Sequence, residues 1–185
     1  MLRKVTIFGS GLMGSGIAQV AAAVGGYQVV LVDMKQELLD KAKGRIEGSV
    51  GKIAKKANGE SEEGKKKAAE QISQTMGRIT LSTDGDKAVQ DTDLVIEAIV
   101  ENLQVKQKLF ERLDSIAPKH AIFTSNTSSL PIKDIARNTK RLERFGGLHF
   151  FNPVPIMKLL EVVRVIFFIF YFILFFIPKF KNQNK

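Results

Sequence analysis

Apolar and polar positions along the chain switch repeatedly between two periods, and each switch marks out an element. Val5-Thr6-Ile7-Phe8 is a short, largely apolar run of strand length, and Gln28-Val29-Val30-Leu31-Val32 is a second. Between them Ser15 to Val24 is small and apolar, as a helix lying flat on a sheet must be, and Gly25-Gly26 stops it. From Lys35 on, Leu38, Leu39, Ala42, Ile46, Val50, Ile53 and Ala54 recur at helical spacing with lysines between them, which predicts one helix from Glu37 to about Lys56. Asn58-Gly59-Glu60-Ser61 breaks it. A more polar helix resumes from Glu62 to Met76, so the pair reads as a helical hairpin projecting from the sheet.

The pattern continues with a short strand at Ile79-Thr80-Leu81 and a loop or short helix from Thr83 to Val89. Asp93 to Ile99 is continuously apolar at its centre, the character of a strand buried on both faces of a parallel sheet. A helix follows from Leu103 to Ile116. Leu109, Leu113 and Ile116 form its apolar face, Glu101, Lys106 and Lys108 fall outside that face, and Pro118 ends it. Ala121-Ile122-Phe123-Thr124 is the next strand and opens into the polar run Ser125-Asn126-Thr127-Ser128-Ser129. One of those five residues suffices to cap the helix behind Pro131, which leaves others for a ligand. Arg144 to Pro155 is a glycine-lined strand with a proline-stiffened loop, and Met157 to Val165 is a last strand carrying Glu161.

Strands alternating with helices predict an α/β fold, and the first turn narrows it. Gly9-Ser10-Gly11-Leu12-Met13-Gly14 is a G-x-G-x-x-G run directly between the first strand and its helix. The first glycine allows a tight turn, the second lets backbone approach a pyrophosphate, and the third lets helix and strand pack closely. The N–H groups of the helix start, Leu12 and Met13 among them, then face the anion. The second strand ends at Asp33, 19 positions after Gly14, where a carboxylate can hold the adenosine ribose hydroxyls. The competing reading of Asp33 is a strand-end aspartate that caps the next helix. The whole is expected to be a Rossmann-type doubly wound, mostly parallel sheet with a helical hairpin insertion, binding NAD. The same carboxylate would repel the 2′-phosphate of NADP.

Composition limits the alternatives. At 185 residues and 44% hydrophobic the chain suffices for one full domain plus a tail. Zero cysteines and two histidines exclude a disulfide framework and make a metal site improbable. The formal charge of +9 raises anionic partners. The basic hairpin has no aromatic residues for base stacking and no nucleic-acid motif, so a phosphate-bearing small molecule fits and nucleic acid does not. Leu2-Arg3-Lys4 leads straight into the first strand, leaving no room for a presequence.

His149 is the candidate for chemistry. A lone histidine among aromatics is more often a packed core residue, but this one ends a strand at the ligand edge, Asn152, Pro153 and Pro155 stiffen the loop after it, and Glu161 stands on the next strand. A carboxylate so placed can reach the imidazole and hold its tautomer, and an imidazole can take a hydroxyl proton as hydride leaves the same carbon.

With these residues in place, GSGLMGSGIAQVAA, LVD, DLVIEAIVEN, FTSNTSSL and GLHFFNPVPIMKLLEV together resemble the L-3-hydroxyacyl-CoA dehydrogenase family, from roughly Arg3 to Val163. The resemblance implies NAD-dependent oxidation of L-3-hydroxyacyl-CoA to 3-ketoacyl-CoA in fatty-acid β-oxidation, with His149 as catalytic base and Glu161 as its orienting carboxylate. It implies that Ser128 and Asn152 stand around the substrate oxygen and nicotinamide, that Asp33, Glu101 and Lys106 contact NAD, and that Ser49 and Lys56 contact coenzyme A. It also points to the mitochondrial matrix, the cytoplasm being the alternative where no presequence is read.

The family carries a second, all-helical domain that completes the cleft and forms a homodimer. The expected organisation here is a Rossmann domain over 1–163 and an atypical apolar tail over 164–185 in that domain's place. The uninterrupted apolar run, Val165 to Ile177, is 13 residues, about 20 Å as a helix and short of a ~30 Å hydrocarbon core, so no transmembrane span is expected. Its Phe/Ile composition and abrupt onset fit a different reading of the gene, such as a retained intron. Two functional readings stand side by side: the dehydrogenase itself, or a truncated NAD-binding module with little or no catalytic activity.

Overall fold

The computed structural model describes residues 2–157 and 159–165, so the expected tail lies, from residue 166 on, outside the described residues. In chain order the elements are β1 (Lys4–Phe8), α1 (Leu12–Ala23), β2 (Gln28–Val32), α2 (Gln36–Asn58), α3 (Glu62–Gly77), β3 (Ile79–Ser82), α4 (Gly85–Val89), β4 (Leu94–Glu97), α5 (Leu103–Ile116), β5 (Ile122–Ser125), α6 (Ile132–Ile135), β6 (Phe145–Phe150) and β7 (Leu160–Arg164). The strands form one sheet in the order β3-β2-β1-β4-β5-β6-β7. Every neighbouring pair is parallel except β6 with β7. The expected doubly wound, mostly parallel sheet with a helical hairpin is therefore the fold. Strand order reverses between β1 and β4, and that is where such a sheet opens a ligand crevice.

Alternation along the strands builds two cores. Val5 and Ile7, Val29 and Leu31, Leu94 and Ile96 turn to one face and pack with Ile17, Leu39 and Ile46 of α1 and α2. Phe8, Val30, Val32, Val95 and Phe123 turn to the other and pack with Phe110, Leu113 and Ile135 of α5 and α6. Phe110, Phe123 and Phe145 form the centre of the second core, with Phe110 and Phe145 edge to face at 4.7 Å. Such a contact is worth ~1 kcal/mol beyond its buried area. The hairpin is held at its base: Ser61 caps α3 by accepting from the Gly64 N–H (3.1 Å), and Asn58 bonds the Ala54 carbonyl (2.8 Å).

Three expectations shift in detail. The central strand ends at Glu97 rather than Ile99, because the Ile99 N–H donates to the Glu97 carboxylate (2.8 Å) instead of extending the ladder. The last strand begins at Leu160 rather than Met157, since the Ile156 and Met157 N–H groups both donate to the Pro153 carbonyl (2.9 Å each) and hold a turn there. On α5 the buried face is Lys106, Phe110 and Leu113, so Lys106 lies on it and not outside it. Two carboxylates waiting beneath the helix make that burial tolerable.

Candidate functional site

The glycine turn is set by contacts that only glycines permit. Gly9 has φ +95°, and a Cβ there would stand 2.4 Å from the Ala98 carbonyl oxygen. At Gly14 a Cβ would stand 1.7 Å from the Gly9 carbonyl oxygen. Gly11 is different: nothing lies within 4 Å of its missing Cβ, so the bare backbone faces open space, room that a pyrophosphate can use. Gly11 is also the N-cap of α1, so the first N–H groups of that helix, those of Leu12 and Met13 among them, point into this space with the positive end of the helix dipole. A cradle that a Cβ would fill, at the start of a helix, fits a dinucleotide phosphate.

Asp33 is bound into the same turn. Its Oδ2 accepts from the Ser10 N–H and the Ser10 hydroxyl, both at 2.7 Å, and its Oδ1 accepts from the Met34 N–H at 2.7 Å. It caps no helix, because α2 begins after Lys35 without a side-chain cap. Arg45, unremarked in the sequence, reaches from α2 and donates to the Ser10 carbonyl at 2.6 Å. A cleft of about 1100 Å³ opens over this turn, lined by Gly11, Asp33, Leu38, Arg45, Ile99 and Val105. Its aliphatic walls and polar floor suit an adenosine.

At the other half of the sheet edge, His149 and Glu161 face each other in register on β6 and β7. The imidazole Nδ1 lies 3.0 Å from Glu161 Oε2, and the ring packs on Phe151 with centroids 4.5 Å apart. With Nδ1–H donated to the carboxylate, Nε2 is left as the acceptor. The imidazole is 19% exposed, open enough for a substrate hydroxyl to reach it. Asn152 is exposed on the following loop, and Val154 anchors that loop against Gly16 of α1.

Between the two halves lies a buried charge cluster. Lys106, 0% exposed, donates to Glu97 at 2.6 Å and to Glu101 at 3.0 Å. Glu97 also accepts from the Ile99 N–H and from the Ser125 hydroxyl (2.5 Å). Glu101 further accepts from Thr127 and from Ser129 (3.2 Å). Burial works against ionising Glu101, yet the bonds from Thr127, Lys106 and Ser129 outweigh it and hold the carboxyl below its ordinary value. The polar run after β5 is thus mostly committed within the protein. Ser125 serves Glu97, Asn126 accepts from the Phe150 N–H (2.8 Å), Thr127 and Ser129 serve Glu101, and Ser128 remains exposed. Asn102 caps α5 through the Val105 N–H. Ser49 and Lys56 stand two turns apart on α2, outside the cleft over the glycine turn.

Glu97 was missed by the sequence reading, although a carboxylate inside an apolar strand is itself a signal of a buried partner. No spacing pattern marks Arg45, whose contact exists only because α2 folds back over the turn.

A glycine turn open at a helix start, a carboxylate bound into that turn and a histidine paired with a glutamate on one sheet edge are the arrangement of a dehydrogenase's dinucleotide-binding domain. Residues 4–166 match the family described as 3-hydroxyacyl-CoA dehydrogenase, NAD binding domain, and the chain belongs to that family, with NAD as its cofactor. It is 54% identical over 164 residues to the mitochondrial hydroxyacyl-coenzyme A dehydrogenase of Homo sapiens, covering 89% of this chain and 51% of the relative. The probable 3-hydroxybutyryl-CoA dehydrogenase of Deinococcus radiodurans is 46% identical, over 87% of this chain and 54% of the relative. Among solved structures, 3-hydroxybutyryl-CoA dehydrogenase from Escherichia coli superposes with a TM-score of 0.86 at 36% identity, over 99% of this chain and 37% of that one. The chain spans about half the length of the curated relatives it matches.

Proposed function

We propose that the chain oxidises the 3-hydroxyl of an L-3-hydroxyacyl-CoA to the ketone, with His149 as general base and Glu161 as its orienting carboxylate. What carries the reading is the 3.0 Å contact between His149 Nδ1 and Glu161 Oε2, on the sheet edge that also holds the glycine cradle. His149 Nε2 takes the hydroxyl proton, and Glu161 stabilises the imidazolium that results. NAD, when bound, accepts the hydride from the same carbon, so one C–H and one O–H bond are exchanged for the carbonyl. Ser128 and Asn152 orient the substrate oxygen and the nicotinamide, and Asp33 and Glu101 hold the dinucleotide; Lys106, fully buried, cannot touch it as the resemblance implied and instead holds Glu101 through their ion pair. Ser49 and Lys56 on α2 receive coenzyme A, whose phosphates give the basic hairpin its purpose. The names of the mammalian relatives place them in mitochondria, and we assign this chain the same compartment by likeness.

The test is acetoacetyl-CoA-dependent oxidation of NADH by the purified chain. His149→Ala is expected to abolish turnover while leaving NADH affinity within about twofold. Near-wild-type turnover in that variant refutes the assignment. NADH binding without turnover in the unaltered chain replaces it with the second reading, an NAD-binding module.

A further inference from the structure

The cluster of Lys106, Glu97 and Glu101 lies between the glycine turn and the strand that carries His149. Gly9 abuts the Ala98 carbonyl, one residue past Glu97. The Asn126 N–H donates to the Glu97 carbonyl (2.7 Å), and Asn126 Oδ1 accepts from the Phe150 N–H (2.8 Å). The carboxyl ends of β4, β5 and β6 are therefore tied together from the glycine turn to the residue after His149. Glu97 pairs in register with Ser125, and Ser125 with Gly147. Two strand spacings, about 10 Å, separate Glu97 from the strand that carries His149.

The cluster is not charge-balanced. It holds one ammonium and two carboxylates, and among the described residues Lys106 is the one cation paired with either carboxylate. Glu97 accepts hydrogen bonds from Lys106, Ser125 and the Ile99 N–H. It is fully buried and does not line the cleft, so it has no direct contact to offer a ligand. A negative charge in such surroundings is screened little by solvent and acts over this distance. An oxidised nicotinamide ring carries a positive charge and a reduced one carries none.

We propose that the Lys106–Glu97–Glu101 cluster biases the cofactor site toward the oxidised dinucleotide, its uncompensated negative charge attracting the cationic ring of NAD+ and not the neutral ring of NADH. The inference rests on the reading of this sheet edge as an NAD site with the nicotinamide at His149. It makes Glu97 a positioning residue that acts through charge, since it touches neither ligand.

The test is the dissociation constants of NAD+ and NADH for the full 185-residue chain, measured by calorimetry for the unaltered protein, Glu101→Gln and Glu97→Gln. Each variant removes one negative charge while keeping the side-chain shape: Glu97→Gln, one buried charge at roughly 10 Å, is expected to raise the ratio Kd(NAD+)/Kd(NADH) by about tenfold, and Glu101→Gln, whose side chain is 40% exposed and so more screened, to raise it by about threefold or more. Glu111→Gln, exposed on the far side of α5, is expected to leave the ratio unchanged. A purely structural role moves both constants together, so a ratio unchanged within about twofold in Glu101→Gln overturns the inference. If Glu97→Gln fails to fold, Glu101→Gln, on a half-exposed side chain, carries the test alone. If the unaltered chain binds neither dinucleotide, the cofactor reading itself is overturned, and the inference with it.

Discussion

Gly16 lies two residues beyond Gly14 on α1, and its missing side chain makes room for the loop after His149. A Cβ at Gly16 would stand 2.9 Å from Val154 Cβ, 3.1 Å from Val154 Cγ2 and 3.6 Å from Pro155 Cδ. Ordinary carbon contacts lie near ~3.5–4.0 Å, so Val154 would have to retreat by about 0.6 Å or more. Overpacking of that kind costs about 1–3 kcal/mol, and the better helix propensity of alanine offsets about 1 kcal/mol of it. Gly16→Ala should therefore destabilise the chain by about 1 kcal/mol. Val154 is 5% exposed, and Val154→Ala removes two methyl groups at ~0.8 kcal/mol each plus a residual cavity, or about 2 kcal/mol in all. In the double variant the smaller residue 154 makes room for the new methyl, so the total should fall short of the sum by about 1 kcal/mol. Urea unfolding followed by circular dichroism measures all three. Additivity within about 0.3 kcal/mol would refute the idea that the helix start and the loop after His149 are wedged together at this point.

Two other perturbations separate the cradle from the scaffold. Gly14→Ala places a methyl 1.7 Å from the Gly9 carbonyl, a backbone atom with no side chain to swing aside, and should weaken NADH binding by about a hundredfold or more in a fluorescence titration. Asp93 tests the opposite end of the sheet: its carboxylate accepts from the Arg3 and Lys4 N–H groups (2.8 and 2.9 Å) and from His120 (3.1 Å), and although burial opposes ionisation these bonds hold the carboxyl below its usual value. A depressed folded-state value stabilises the fold above the unfolded pKa, near ~3.9, and that stability is lost as pH falls through the folded value. Asp93→Asn should thus cost about 1 kcal/mol at pH 6 and progressively less as pH falls below ~3.9, and a pH-independent cost would refute the assignment.

Much of this was legible in the chain itself because the parallel strands are mostly apolar and the glycine turn has its own spacing. The glycine turn stands between β1 and α1 where it was expected, and β2 and α5 have the expected bounds. What periodicity could not show was Lys106. A lysine at that helical position reads as solvated, and only the fold brings Glu97 and Glu101 beneath it from a different element. The same holds for the polar run after β5, where the composition counts hydroxyls without saying that Ser125, Thr127 and Ser129 already serve buried carboxylates. Residues that act through backbone geometry announce themselves in sequence, whereas residues that act through long-range charge do not.

The pairing of His149 with Glu161 depends on the one antiparallel step in the sheet. A parallel return from β6 would need a crossover of about a dozen residues or more, and the stretch 151–159 is too short for one. The chain therefore doubles back, and its register is fixed by apolar partners: Leu148 sits opposite Val162 and Phe150 opposite Leu160, and all four pack into the core beside α1. Those pairs occupy one face of the sheet, so the residues between them, His149 and Glu161, project together from the other. A slip of one residue would turn Glu161 onto the core face and leave His149 opposite an aliphatic side chain. The geometry of the His149–Glu161 pair is in this sense held by hydrophobic burial on the far side of the strand, and substitutions at Leu148 or Phe150 are expected to disturb that pair without touching it.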